Sequence, residues 1–133
     1  MKRTRWVPRG LVLLAFTGTV WAAPPSYRVT ELQGFAPAVI NNLGQIAGTT
    51  AGGAVLYSNG TLTTLGGLGG GRVDVNGLND LGQVTGDALT PGGLTHAFVW
   101  RNGAMHDLGT LGGASSTGAA INNSGWVTGT SVT

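Results

Sequence analysis

The sequence of 133 residues contains no cysteine. No disulfide can therefore cross-link the fold, and no cysteine is present to take a lipid anchor. Charged residues make up only 9% of the chain, which leaves few groups for electrostatic recognition. A small domain of this composition has to be held together by apolar burial and backbone pairing.

Long apolar runs are also lacking. The uncharged, apolar run at residues 10–23 has 14 residues, whereas a membrane-spanning helix needs about 20. Four basic residues precede this run: Lys2, Arg3, Arg5 and Arg9. A basic start, a short apolar run and small residues at Val20 and Ala22 are typical of a secretory signal peptide. We therefore expect a signal peptide over 1–22, cleavage after Ala22, and secretion to the periplasm or the extracellular space without a stable membrane anchor.

Removal of this segment reverses the net charge. The whole chain has 7 Lys and Arg against 5 Asp and Glu, but residues 23–133 keep only Arg28, Arg72 and Arg101 against all five acidic residues, a net charge of −2. Nucleic-acid binding needs a basic surface, so we expect no nucleic-acid partner.

Glycine is abundant, and its positions within a nine-residue motif recur each time that the motif is repeated. Residues 40–48 read INNLGQIAG, residues 78–86 read LNDLGQVTG, and residues 121–129 read INNSGWVTG. The offsets are 38 and 43 residues, and the difference falls in the polar stretch 90–95. An insertion confined to one loop is typical of repeated folded units, which we place at about 27–53, 54–95 and 96–133 within a single repeat domain, 23–133.

Each unit reads as four β-strands, because no segment after residue 22 has helical periodicity. Asn59-Gly60 and Asn102-Gly103 separate short apolar runs, which predicts two-residue hairpins with positive φ at both turn residues. The hairpin at 102–103 then places Trp100 opposite Met105 and Phe98 opposite Asp107. The Asn-Asn/Asp-x-Gly segments predict turns that end in a left-handed glycine.

Both faces of these hairpins are apolar, so we expect the sheets to be covered on both sides. Four-stranded units of about 40 residues, stacked face to face, are typical of β-propeller blades, and the pattern also permits a β-solenoid or an irregular β-sandwich. Residues 27–133 supply eleven strands, under three units, which is fewer than a closed propeller needs. This predicts either a piece of a longer propeller or a chain that self-associates through open strand edges.

His96-Ala97-Phe98-Val99-Trp100, followed by Asn102-Gly103, the segment DLGTLGG at 107–113 and AINNSG at 120–125, resembles the HAF family of probable extracellular repeats. The likeness covers 27–133, although the unit at 54–70 has Gly53 and Val55 where the motif has His and Phe. The resemblance implies a bacterial exported β-repeat protein. It brings no catalytic or ligand-binding residues.

The residues themselves point to no reaction. His96 and His106 fall on opposite faces of one hairpin, and no pattern brings two carboxylates together, so we expect no catalytic residues, no metal and no cofactor. The residues that we single out are structural turn residues: Asn41, Gly44, Asn59, Gly60, Asn79, Gly82, Asn102, Gly103, Asn122 and Gly125. The function expected is a non-enzymatic scaffold or binding module that presents its loops, with part of an extracellular enzyme whose site lies outside this chain as the alternative.

We expect the exported protein to begin at Ala23, because Val20 and Ala22 fit the small-residue positions before a signal-peptidase cut and Pro24 follows. Intact-mass spectrometry of secreted material measures this directly. A mature species that still contains Trp6 and Trp21 would rule out the signal peptide.

Overall fold

The chain is all-β in a computed structural model that describes residues 11–16 and 27–133. Twelve strands and no helix are found in these residues, so none of them forms a helix that could span a membrane. The strands are β1 Leu11–Phe16, β2 Tyr27–Leu32, β3 Ala36–Ile40, β4 Ile46–Thr50, β5 Gly53–Ser58, β6 Thr61–Gly66, β7 Val73–Leu78, β8 Val84–Leu89, β9 Thr95–Arg101, β10 Ala104–Gly109, β11 Ser116–Ile121 and β12 Val127–Ser131. Eleven of them lie in 27–133, the number that the repeat pattern predicts.

The first of two compact units, residues 1–36, contains β1 and β2. These strands pair antiparallel, with Leu11 opposite Leu32 and Phe16 opposite Tyr27. β1 lies within the segment expected to be a signal peptide. The expected cleavage site after Ala22 lies outside the described residues.

The second unit, residues 37–133, contains three antiparallel sheets. The first sheet has the order β3-β4-β5-β6, the second has β10-β9-β8-β7, and the third has only β11-β12. The four-stranded sheets do not coincide with the units at 27–53, 54–95 and 96–133. Each four-stranded sheet joins the last two strands of one repeat unit to the first two strands of the next, so the covalent repeat and the sheet are out of phase by two strands.

The hairpins have the register that their Asn-Gly turns require. Trp100 lies opposite Met105 and Phe98 opposite Asp107, as predicted, and the next pair is shifted by a bulge before Gly109. Asn59 has φ 50° and Asn102 has φ 53°, in the left-handed region that a type I′ turn uses. The twist of this turn matches that of the flanking strands, which fixes which side chains share a face.

The main apolar cluster of the second unit lies between the first and second sheets. Its members are Ala47, Ala54, Leu56, Leu65, Val73, Val75, Val84, Ala88 and Phe98, with Val39, Leu68, Leu78, Trp100 and Met105 packed against them. On the other side of the second sheet, β11 packs against β8 and β9, and the Ala97 N–H group donates to Ser116 Oγ at 2.8 Å. The second sheet is therefore covered on both sides.

The expectation that both faces are covered is wrong at single positions of β6 and β10. The consecutive residues Ala97, Phe98 and Val99 on β9 are all buried, whereas Leu62 on β6 is 40% exposed and Leu108 on β10 is 48% exposed.

Two glycines allow paired strands to approach where the pairing is irregular. A Cβ atom on Gly86 would lie 1.9 Å from the carbonyl oxygen of Asp74, and one on Gly129 would lie 1.9 Å from that of Thr117. Both glycines face a bulge on the neighbouring strand, at 75–77 and at 118–120. The glycine that closes the second and the third repeated motif is therefore a packing requirement.

We expect Gly86→Ala to lower the free energy of unfolding by about 1–3 kcal/mol or more, because the added methyl group meets backbone that cannot rotate away. Gly92→Ala is the matched control, since nothing lies closer to its Cβ position than Thr90 Oγ1 at 3.8 Å. It should change stability by no more than about 0.5 kcal/mol. Urea unfolding followed by tryptophan fluorescence measures both, and equal losses would contradict the packing argument.

Candidate functional site

The turns of the stacked sheets fall at two opposite ends. The turn end carries the three Asn-Asn/Asp-x-Gly turns, 41–44, 79–82 and 122–125, together with the two Asn-Gly hairpin turns. The loop end carries the connection 51–52, the connection 90–94 and the Gly-rich loops 67–72 and 110–115. This division follows from the antiparallel order of the strands.

Each of the three Asn-Asn/Asp-x-Gly turns is closed by the side chain of its first asparagine. Asn79 Oδ1 accepts hydrogen bonds from the N–H groups of Leu81 and Gln83 at 3.1 and 2.9 Å, and Asn79 Nδ2 donates to Gln83 Oε1 at 2.7 Å. Asn41 makes the same three bonds within its own turn, and Asn122 accepts the two backbone bonds. The glycines that end these turns have φ 74–78°.

The same asparagines also connect one turn to the next. Asn41 Nδ2 donates to the carbonyl oxygen of Asn79 at 2.9 Å, and Asn79 Nδ2 donates to the carbonyl oxygen of Asn122 at 2.8 Å. We call this column the asparagine ladder. Asn79, its middle member, is 3% exposed, and all its polar groups have partners.

A second column runs beside the ladder through Asp80. Its carboxylate accepts hydrogen bonds from the backbone and side chain of Asn42, at 3.0 and 2.9 Å, and from the side chain of Asn123 at 3.1 Å. The Asp80 N–H group donates to Asn123 Oδ1 at 2.9 Å. The side-chain bond from Asn42, then that from Asn123, hold the pKa of Asp80 below its ordinary value against the opposing effect of burial.

The loop end is built from short backbone contacts between neighbouring loops. The Gly70 N–H group donates to the carbonyl oxygen of Leu89 at 2.8 Å, and the Gly113 N–H group donates to that of Val132 at 3.0 Å. The connection 90–94 is closed by Thr90, whose N–H group donates to the carbonyl oxygen of Leu94 at 2.8 Å and whose Oγ1 accepts from the Leu94 N–H group. The loops 67–72 and 110–115 are thus tied to the chain at the ends of β8 and β12.

His96 and Asp107 form a pair of titratable groups near the loop end. His96 Nδ1 lies 2.9 Å from Asp107 Oδ2, across the hairpin on the face predicted for both residues. Burial raises the pKa of Asp107, but the hydrogen bonds from His96 and from the Gly109 N–H group outweigh it, so this pKa lies below its ordinary value. In the part of the chain that the structure describes, no three His, Asp or Glu side chains come close enough to hold a metal ion.

The ten turn residues singled out in the sequence all lie at the turn end. The structure stacks Asn41, Asn79 and Asn122 in the ladder and leaves the hairpin turns 59–60 and 102–103 apart from it. Sequence reasoning missed the bonds between turns, the bridging role of Asp80 and the His96–Asp107 pair. A signal for the first was present, since identical amide residues that recur in register form hydrogen-bonded ladders when the units stack.

Comparison with known proteins finds no matching family model, no similar curated protein and no similar solved structure.

We expect Asn79→Asp to lower the free energy of unfolding at neutral pH by at least about 2 kcal/mol, because a carboxylate oxygen would then face the carbonyl oxygen of Asn122 in a buried position. Asn122→Asp is the matched control: it changes the same position of the last turn, where the side chain is exposed. Its loss should stay under about 1 kcal/mol. Chemical denaturation compares the two variants, and equal losses would show that the bonds between turns add nothing.

Proposed function

We propose that this chain is an exported, non-enzymatic β-repeat protein of the HAF type that serves as a scaffold and presents its loop end for binding. At the turn end, the polar groups of Asn79 and Asp80 are already engaged in hydrogen bonds with neighbouring turns. The loop end is the surface whose length and composition vary between the repeats. Loops on a rigid scaffold are where proteins commonly carry binding residues.

The observation that carries the proposal is the difference between two equivalent connections. The connection between β4 and β5 has two residues, 51–52, whereas that between β8 and β9 has five, 90–94. Strand pairing does not change: Ile46 lies opposite Tyr57 in one sheet, and Val84 lies opposite Trp100 in the other. A framework that absorbs an insertion without losing register is suited to carry variable loops.

The side chains of the loop end fit a binding surface of mixed character. Leu94 is 42% exposed and Leu111 is 78% exposed, amid glycine, threonine and Pro91. The exposed ion pair between Arg72 and Asp74 adds charge beside these groups. Such a surface offers apolar contacts together with hydroxyl and backbone hydrogen-bonding groups.

Face-to-face packing of successive sheets supports a propeller-like arrangement of the repeats. β7, the first strand of the second sheet, packs against β4 and β5, and β11, the first strand of the third sheet, packs against β8 and β9. The first strand of each later sheet thus packs against the two middle strands of the preceding sheet. A regular step of this kind is how propeller blades follow one another.

An insertion experiment tests the scaffold role. A nine-residue hydrophilic epitope placed between Gly92 and Gly93 of the full chain should leave the urea midpoint nearly unchanged, since lengthening a surface loop costs only about 0.6 kcal/mol per doubling. An antibody should bind the epitope on the folded, secreted protein. The same epitope between Asp80 and Leu81 should lower stability sharply, because it separates Asn79 from the backbone groups that it closes. If both insertions were equally damaging, the loop end would not be a presentation surface.

A further inference from the structure

Three asparagines of the chain are followed directly by glycine: Asn59, Asn76 and Asn102. In such a pair the glycine nitrogen can attack the carboxamide carbon of the asparagine, because glycine has no Cβ atom to shield its N–H group. The sequence makes the three pairs alike in this respect. The structure distinguishes them, since 59–60 and 102–103 are hairpin turns whereas 76–77 lies within β7.

The two hairpin pairs are open to solvent. Asn59, Gly60, Asn102 and Gly103 are all exposed, and nothing lies within 4 Å of a Cβ atom built on either glycine. Among the residues that the structure describes, neither of the two carboxamides has a hydrogen-bond partner. Each turn leads into a strand at the end of its sheet, β6 or β10. Opening of such a hairpin tip breaks few contacts and therefore costs little free energy.

The third pair is held from several sides. Asn76 Nδ2 donates to Asp87 Oδ1 at 3.1 Å and to the carbonyl oxygen of Gly118 at 3.0 Å. Gly77 is buried at the bulge of β7, and a Cβ atom built on it would lie 3.1 Å from the Cα atom of Ala120. Rotation of this peptide group requires β7 to separate from both β8 and β11, which is a much larger opening than that of a hairpin tip.

The conformation of the turn controls when the attack takes place. Asn59 and Asn102 have φ 50° and 53°, as in a type I′ turn, which holds the glycine nitrogen away from the carboxamide carbon. The turn therefore has to open before a ring closes. The rate in the folded protein equals the rate in an open chain multiplied by the fraction of time that the site is open. Exposed turns and a buried strand should differ strongly in that fraction.

We propose that Asn59 and Asn102 are sites of spontaneous deamidation in the folded protein, with water as the co-reactant, and that the fold protects Asn76. The glycine nitrogen bonds to the asparagine Cγ, the Cγ–Nδ2 bond breaks, and Nδ2 leaves as ammonia together with the proton of the glycine amide. Water then opens the cyclic imide. Addition of water at Cγ gives aspartate, and addition at the main-chain carbonyl carbon gives isoaspartate, in which the main chain runs through Cβ.

The two products affect the hairpin differently. Aspartate tolerates the left-handed conformation and keeps the turn. Isoaspartate lengthens the main chain by one bond, and a two-residue turn cannot take up that bond while Arg101 stays opposite Ala104. The isoaspartate product at position 102 therefore disturbs the pairing of β9 with β10. Both sites lie at the turn end, so the inference does not depend on the proposed binding role of the loop end.

Peptide mapping by mass spectrometry measures the rate at each site in the full chain, incubated in mildly alkaline buffer. In native buffer, deamidation at Asn59 and at Asn102 should be at least about tenfold faster than at Asn76. In urea at a concentration that unfolds the chain, the three rates should become similar, because each asparagine is then followed by an equally accessible glycine. The comparison separates the effect of the fold from that of the sequence.

Hydrogen exchange tests the effect of isoaspartate on the hairpin. The form with isoaspartate at position 102, isolated by ion-exchange chromatography, should exchange faster along β9 and β10 than the unmodified protein. Asn102→Asp is the matched control, because it adds the same charge and leaves the main chain unchanged. Its exchange along these strands should equal that of the unmodified protein.

Equal native rates at the three sites would overturn the proposal, and so would the absence of deamidation at Asn59 and Asn102 in native buffer. A slow rate at Asn76 that persists in urea would also contradict it, since the sequence and not the fold would then protect this site. Unchanged exchange in the isoaspartate form would show that the inferred effect on the hairpin is wrong.

Discussion

The carboxamide of Asn79 is the interaction on which the arrangement of the sheets depends. A single buried side chain closes its own turn with two accepted hydrogen bonds and reaches the next turn with a donated one. Both tasks need an acceptor and a donor on one short side chain, which only asparagine offers at this length. Local turn geometry and the stacking of neighbouring sheets are thereby set by the same group, so that the sheets follow each other with one orientation.

Glycine and larger apolar residues provide the remaining contacts between strands and sheets. Gly86 and Gly129 allow strand pairs to pass backbone bulges, and Gly118 brings β11 against Thr85 of β8. Where strands are further apart, Phe98 and Val84 fill the space. A chain without disulfides and with few charges is held by these close contacts, and Gly86 recurs as Gly129 at the same place in its repeat.

The elements predictable from the sequence were those fixed by local chemistry. Asn102-Gly103 sets the register of its hairpin because few other residues accept positive φ at both positions, and the pairs Trp100–Met105 and Phe98–Asp107 follow from it.

Which strands share a sheet was not predictable in this way. Repeat boundaries drawn at 53–54 and 95–96 fall inside sheets, because hydrogen bonding across β4–β5 and β8–β9 joins consecutive units, and sequence similarity does not record where one sheet ends. The His96–Asp107 pair was within reach, since Asp107 was placed opposite Phe98 and His96 lies two residues before Phe98 on the same face of the strand. The bonds between turns depend on how the sheets stack, which one hairpin cannot reveal.

Asp80 gives the repeats an order. A carboxylate only accepts hydrogen bonds, so it is satisfied between two amides, Asn42 and Asn123, that can donate to it from either side. Two adjacent units that both carried aspartate at this position would bring like charges together with no donor between them. The alternation Asn-Asp-Asn therefore fixes the order of units that are otherwise nearly interchangeable. The unit that carries Asp80 is stable between its two neighbours, and an array with the units in another order would be less stable.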